Sequence, residues 1–112
     1  MPPVNIYTSK ERVEPIAQVF DGLAGIIAKE LTCSDRQLNP EDIQLQILVP
    51  EITYNSPATR VDIYAAPYSK RVERQDIICT NVQQYLRENC PQTGDVKVFL
   101  ILAELGYSFS KP

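Results

Sequence analysis

The chain contains no histidine among its 112 residues, which limits the side chains that can carry protons. Without an imidazole, Ser-His-Asp and Cys-His catalysis and every His-ligated metal site are excluded. Proton transfer would then depend on carboxylates, lysine, tyrosine, cysteine or a terminal amine. No motif indicates a metal or another cofactor, and the sequence predicts neither.

The three cysteines, Cys33, Cys79 and Cys90, are an odd number, are widely separated and include no C-x-x-C pair. This arrangement favours neither a disulfide framework nor a zinc site. Free cysteines are among the most buried residue types. We therefore expect reduced, structural thiols.

The overall charge argues against two classes of partner. Eleven Lys and Arg residues against 14 Asp and Glu residues give a formal charge of -3 and a pI of about 4.9, so no cationic surplus is available for a phosphate backbone. The longest apolar run, residues 98–103, is far shorter than a membrane span, and no signal peptide precedes it. We expect a cytoplasmic protein without a nucleic-acid or membrane partner.

Hydrophobic periodicity predicts two similar halves. Val4 and Ile6 indicate a strand, the steps of three and four from Ile16 to Leu31 indicate a helix, and alternation over residues 43–49 indicates a second strand. The second half repeats this order, with a strand over residues 61–65, a helix from Ser69 to Leu86 and a strand over residues 96–103.

Two strand-helix-strand units in tandem predict one α+β domain over residues 1–112. Right-handed crossovers bring both helices to one face of a four-stranded mixed sheet. The other face then carries Phe99, Ile101 and Ala103 of the doubly apolar last strand. An uncovered apolar face of this kind favours assembly into an oligomer.

The chain resembles the tautomerase superfamily, which includes macrophage migration inhibitory factor, 4-oxalocrotonate tautomerase and 5-carboxymethyl-2-hydroxymuconate isomerase. The matching features are Pro2 directly after Met1, a strand from Val4, the duplicated crossover unit and the length. Residues 60–74 and 96–109 are most similar to small uncharacterised bacterial members. The resemblance implies a cofactor-independent keto-enol tautomerase or isomerase, assembled as a homotrimer, that acts on a small anionic keto or enol acid.

The same resemblance implies roles for individual residues. Pro2 is the implied general base, because a terminal proline is a secondary amine that neighbouring cations keep unprotonated near neutral pH. Arg12 is implied to hold the substrate carboxylate, and basic contacts are implied for Lys70, Arg71 and Arg36. Two tyrosines are further candidates for lining the pocket, although packing is the alternative role for both: Tyr64 and Tyr107.

Pro3 keeps a second interpretation open. Removal of Met1 is expected to be inefficient when a proline follows Pro2, and with Met1 attached the Pro2 nitrogen is a tertiary amide without basicity. The alternatives to an enzyme are a non-catalytic oligomer of the same fold that binds a metabolite or a protein, and an unrelated ferredoxin-like module. For Arg12, Arg36, Lys70 and Arg71 the alternative role is solvated surface charge.

Overall fold

A computed structural model describes residues 2–104 of the chain. The helices are α1 (Val13–Ala17), α2 (Phe20–Leu31), α3 (Ser69–Glu73) and α4 (Gln75–Asn89). The strands are β1 (Pro3–Tyr7), β2 (Gln44–Leu48), β3 (Thr59–Ala65) and β4 (Val96–Leu102). None of the helices in this part of the chain is long and apolar enough to cross a membrane.

The strands form one mixed sheet in the order β2-β1-β3-β4. β1 is parallel to β2 and antiparallel to β3, and β3 is parallel to β4. β1 and β2 therefore begin at the edge of the sheet where β3 and β4 end. We call this edge, at one end of the strands, the proline edge, because Pro2 lies there. The edge at the other end of the strands, where β1 and β2 end and β3 and β4 begin, is the far edge.

Both long helices cover one face of the sheet, as the tandem units predict. Alternate side chains of β1 and β3 are fully buried against apolar side chains of α2 and α4. The residues at the centre of this core are Val4, Ile6, Val61, Ile63, Leu23, Ile27, Ile78 and Val82. The strand alternation and the helical periodicity thus meet in one hydrophobic layer.

Each predicted helix is divided into a short and a long piece, which the periodicity did not predict. The backbone leaves helical geometry at Val19 and again at Arg74. At the second break the Arg74 guanidinium reaches back to Glu30 on α2, where Nη2 lies 3.4 Å from Oε1. Asn81 on α4 donates to the same Glu30 oxygen at 2.8 Å, so this buried carboxylate joins the two long helices.

The face opposite the helices is uncovered in a single chain, and we call it the open face. It carries the alternate residues of each strand. Asp62 of β3 lies there between Asn5 of β1 and Phe99 of β4. Gln46 donates to Asn5 at 2.6 Å. Phe99 is 43% exposed and β4 is an edge strand.

The two glycines of α2 are expected to respond differently to alanine. A Cβ at Gly25 meets no atom within 4 Å, so Gly25→Ala is expected to raise the free energy of unfolding by about 0.5–1 kcal/mol through higher helix propensity. A Cβ at Gly22 would lie 1.8 Å from the Tyr85 hydroxyl. Gly22→Ala should therefore lose this gain, because the Tyr85 ring has to move.

Urea unfolding at one fixed protein concentration measures both free energies. Combining Gly22→Ala with Tyr85→Phe removes the nearest atom and should recover part of the loss. Equal stabilisation by the two glycine substitutions would show that the close contact of α2 with α4 at Tyr85 is not a constraint.

Candidate functional site

Pro2 lies at the proline edge, directly before β1. Its side chain is buried, and its carbonyl oxygen accepts a hydrogen bond from the Gln44 amide at 3.2 Å. Val4 is paired with Ile63 in the antiparallel register, so Pro2 comes beside the end of β3. The position of Pro2 is thus determined by two neighbouring strands.

Arg71 brings a buried guanidinium to the same edge. The residue is 3% exposed, and it lies on the short helix that follows β3. Its Nε donates to the Leu31 carbonyl at 2.9 Å and its Nη1 to the Ala66 carbonyl at 3.2 Å. The guanidinium carbon also lies 4.8 Å from the centre of the Tyr68 ring. These contacts hold the cation between the end of α2 and the end of β3.

Arg36 adds a second positive charge near Arg71. It belongs to the turn after α2, in which the backbones of Cys33 and Arg36 exchange hydrogen bonds of 2.9 and 3.1 Å. Burial lowers the pKa of Arg71, and the charge of Arg36 lowers it further. Within residues 2–104, neither arginine has a carboxylate at ion-pair distance. The proline edge therefore combines Pro2 with two unpaired cations, which is an arrangement that attracts an anion.

The other residues implied at this edge are placed differently. Lys70 is exposed and pairs with Glu73 on its own helix at 3.4 Å. Tyr64 is half-buried on the open face, opposite Ile101 in the register. Tyr107 lies outside the described residues. Sequence reasoning missed Tyr68, whose ring stacks on Arg71 and whose position in the short connection between β3 and α3 was the available signal.

Arg12 lies at the far edge, so β1 separates it from Pro2 within one chain. Its Nε donates to the Gln92 carbonyl at 3.1 Å, and its Nη1 donates to the Ser9 hydroxyl. An ion pair with Glu11 measures 3.3 Å. A hydrogen bond from Ser9 lowers the pKa of the Glu11 carboxyl. Arg12 can meet a Pro2 side chain only in another copy of the chain.

A cleft of about 480 Å³ opens beside Arg12, and we call it the far-edge cleft. Its lining includes Arg60 and Asp62, which form an ion pair of 2.8 Å. Sequence reasoning missed both residues. The signal was present in β3, because Arg60 and Asp62 alternate with the apolar residues Val61 and Ile63 and therefore share the face opposite the core.

The structure describes three free thiols. Burial raises the pKa of Cys79 and of Cys90, which keeps these thiols protonated at neutral pH. Cys33 is half-buried in the turn that contains Arg36. Residues 2–104 contain no group of three or more Cys, Asp or Glu side chains that could hold a metal ion.

No protein-family model matches the chain, and no curated protein matches it in sequence. Solved structures do match it in fold. A macrophage migration inhibitory factor-like protein from Entamoeba histolytica is 10% identical, with 97% of this chain and 95% of that chain covered and a TM-score of 0.64.

Two further structures extend this likeness. A 5-carboxymethyl-2-hydroxymuconate delta-isomerase is 11% identical, with coverage of 100% and 89% and a TM-score of 0.66. A fused wild-type 4-OT symmetric trimer is 9% identical, with coverage of 96% and 94% and a TM-score of 0.66. The chain therefore has the fold of the tautomerase superfamily, and the resemblance stated from its sequence is confirmed at the level of the fold.

Proposed function

We propose that this protein is a tautomerase or isomerase that moves a proton within a small anionic keto or enol acid. Pro2 is the general base, in the form of the chain that begins at Pro2. The observation that supports this proposal is the proline edge itself, where Pro2 lies with Arg71 and Arg36, two cations without a carboxylate partner in residues 2–104.

In this reaction the neutral secondary amine of Pro2 removes a proton from the enol oxygen or from the carbon beside the carbonyl. The electron pair moves into the conjugated system, and the amine returns the proton at the other position, so no atoms are gained or lost. Arg71 and Arg36 stabilise the carboxylate and the developing enolate. They also lower the pKa of the amine by opposing its protonated form.

We further propose that the active unit is a homotrimer. The open face and the edge strand β4 are uncovered in one chain, and a 4-OT structure of the same fold is a trimer. Assembly would bring Arg12 of one copy to the proline edge of another, where it would hold the substrate carboxylate. The cytoplasm remains the predicted compartment, and the negative net charge argues against a nucleic-acid partner.

The second candidate is an oligomer of the same fold that binds a metabolite or a protein without catalysis. The Pro2-Pro3 pair favours it, because retention of Met1 leaves the Pro2 nitrogen as an amide. The intact mass of the protein from its native cell would report which form exists there.

The decisive experiment compares two preparations of the same chain, one cleaved from a fusion directly before Pro2 and one retaining Met1. Each is assayed for enol-to-keto conversion of phenylpyruvate and of 2-hydroxymuconate. The form that begins at Pro2 should exceed the Met1 form by about 100-fold or more, which is the usual contribution of a general base. Equal rates for the two forms, or no rate above buffer for either, would contradict catalysis by Pro2.

A further inference from the structure

Two arginines from the second half of the chain cap the last two carbonyl groups of α2. Arg74 Nη1 donates to the Glu30 carbonyl at 3.3 Å, and Arg71 Nε donates to the Leu31 carbonyl at 2.9 Å. Carbonyls at the end of a helix have no partner within that helix, and cations stabilise them. Arg71 belongs to α3 and Arg74 directly follows this helix, so one short segment supplies both caps.

The Glu30 side chain makes a second contact with Arg74. The residue is 6% exposed, and its Oε1 lies 3.4 Å from Arg74 Nη2. The same oxygen accepts a hydrogen bond of 2.8 Å from Asn81 Nδ2 on α4. Arg74 thus contacts both the carbonyl and the carboxylate of Glu30, and Asn81 ties that carboxylate to α4. We call Glu30, Arg74 and Asn81 the Glu30 clamp.

The Glu30 clamp lies where α3 meets α4. α3 has five residues, and a helix of this length is not stable by itself in water. Contacts with other elements must therefore determine where α3 lies. The clamp supplies such a contact at the end of α3, and Arg71 lies three positions before Arg74 on the same helix.

The guanidinium of Arg71 depends on this placement. Its Nε and Nη1 donate to the carbonyls of Leu31 and Ala66, whereas its Nη2 donates to no group within residues 2–104. That remaining group is available to an anion. A displacement of about 1 Å in a group that orients substrate can lower a rate substantially. The use of Arg71 at the proline edge therefore requires that α3 stays fixed against the end of α2.

We infer that Glu30 is a positioning residue for the proline edge. The Glu30 clamp holds α3 against the end of α2 and thereby fixes the Arg71 guanidinium. This inference rests on the proposed function, in which Arg71 stabilises the substrate carboxylate and the developing enolate. Glu30 acts through Arg74 and α3, and it takes no part in the proton transfer.

The first test follows the position of Arg71 without any assay of activity. NMR measures the exchange of the Arg71 Nε–H proton with water at one fixed pH, and loss of the signal in Arg71→Lys assigns it. Glu30→Ala should accelerate this exchange by about 10-fold or more, because the hydrogen bond to Leu31 opens more often without the clamp. Glu30→Gln retains an oxygen that accepts from Asn81 and Arg74, and it should stay within a few-fold of the parent. Unchanged exchange in Glu30→Ala, or equal acceleration by both variants, would overturn the inference.

Two further variants separate the clamp from a general loss of stability. Asn81→Ala leaves the buried carboxylate in place and should accelerate the exchange to a smaller extent. If Glu30→Ala does not fold, unchanged exchange in Asn81→Ala would overturn the inference in its place. Gln83→Ala is the matched control, because it removes from the same helix a hydrogen bond of 2.7 Å to the Val96 carbonyl at the far edge. It should leave the Arg71 exchange unchanged, and acceleration as large as that in Glu30→Ala would contradict a specific role of the clamp.

The second test connects this position to the proposed reaction. In protein that begins at Pro2, Glu30→Ala should lower kcat/KM for phenylpyruvate by about 10-fold or more. In an Arg71→Gln background the same substitution should cause no further loss, since the group that it positions is already absent. Equal losses in the two backgrounds would show that Glu30 acts independently of Arg71 and would overturn the inference. An inactive parent protein would contradict the proposed function, whereas the exchange measurement would still decide whether Glu30 positions Arg71.

Discussion

Pro2→Ala is expected to lower kcat/KM for enol-to-keto conversion by about 100-fold or more, in protein that begins at residue 2. Alanine replaces the secondary amine with a primary amine, and it removes the buried proline ring that lies beside β2. The base would then be less well positioned. Steady-state kinetics with phenylpyruvate and 2-hydroxymuconate measure the loss.

Pro3→Ala is the matched control for this substitution. Pro3 is the first residue of β1, half-buried on the open face, and it contributes no basic nitrogen. Its replacement should leave kcat/KM within a few-fold of the original value. Full activity in Pro2→Ala would show that another group is the base.

The pH dependence of Arg36→Gln tests the electrostatic part of the same prediction. A general base must be unprotonated, so activity falls as the pH drops through the pKa of the Pro2 amine. Arg36 opposes the protonated amine, and its removal should raise that pKa. The acidic limb of the profile should therefore move to higher pH. An unchanged limb would show that Arg36 lies too far from Pro2 to act on it.

Ile101→Asp is expected to convert the proposed homotrimer into monomers. Ile101 lies on the open face of β4, opposite Tyr64 in the register, and two positions from the exposed Phe99. An unpaired carboxylate buried in a subunit interface costs several kcal/mol. Since each 1.4 kcal/mol changes an equilibrium constant about tenfold, association should become undetectable at micromolar concentration.

Light scattering with size-exclusion chromatography measures this change in mass. Ile77→Asp is the matched control, because Ile77 lies on α4 in the helical layer and is 53% exposed. It should leave the mass unchanged. A monomeric parent protein, or an Ile101→Asp variant that keeps the parent mass, would contradict assembly through the open face.

Much of the fold follows from short-range patterns in the sequence. The doubly apolar run from Val96 predicted the last strand. Alternation around Val4, Ile43 and Val61 predicted the other strands, and steps of three and four after Ile16 and Ser69 predicted helices. These patterns are reliable because each depends on the geometry of one element and on a single buried face. The strand-helix-strand order, which occurs twice, was sufficient to predict the mixed sheet with both helices on one side.

The breaks within the helices had no such signal. The Arg74 break accompanies contacts with Glu30, a residue 44 positions away in the sequence. A break that depends on a distant partner leaves the local periodicity intact. Hydrophobic spacing alone therefore predicts one continuous helix where the structure has two.

The candidate site shows the same division. The sequence by itself determined which groups can carry protons or bind anions, and it placed Pro2 before the first strand and Arg12 after it. Only the tertiary structure decided which of them meet. Arg71 reaches the proline edge because it binds the carbonyl of Leu31, 40 residues away, and Asp62 is buried on the open face beside Asn5 and Phe99. Such contacts depend on how separate elements pack, and residue types and their spacing along one chain do not specify that packing.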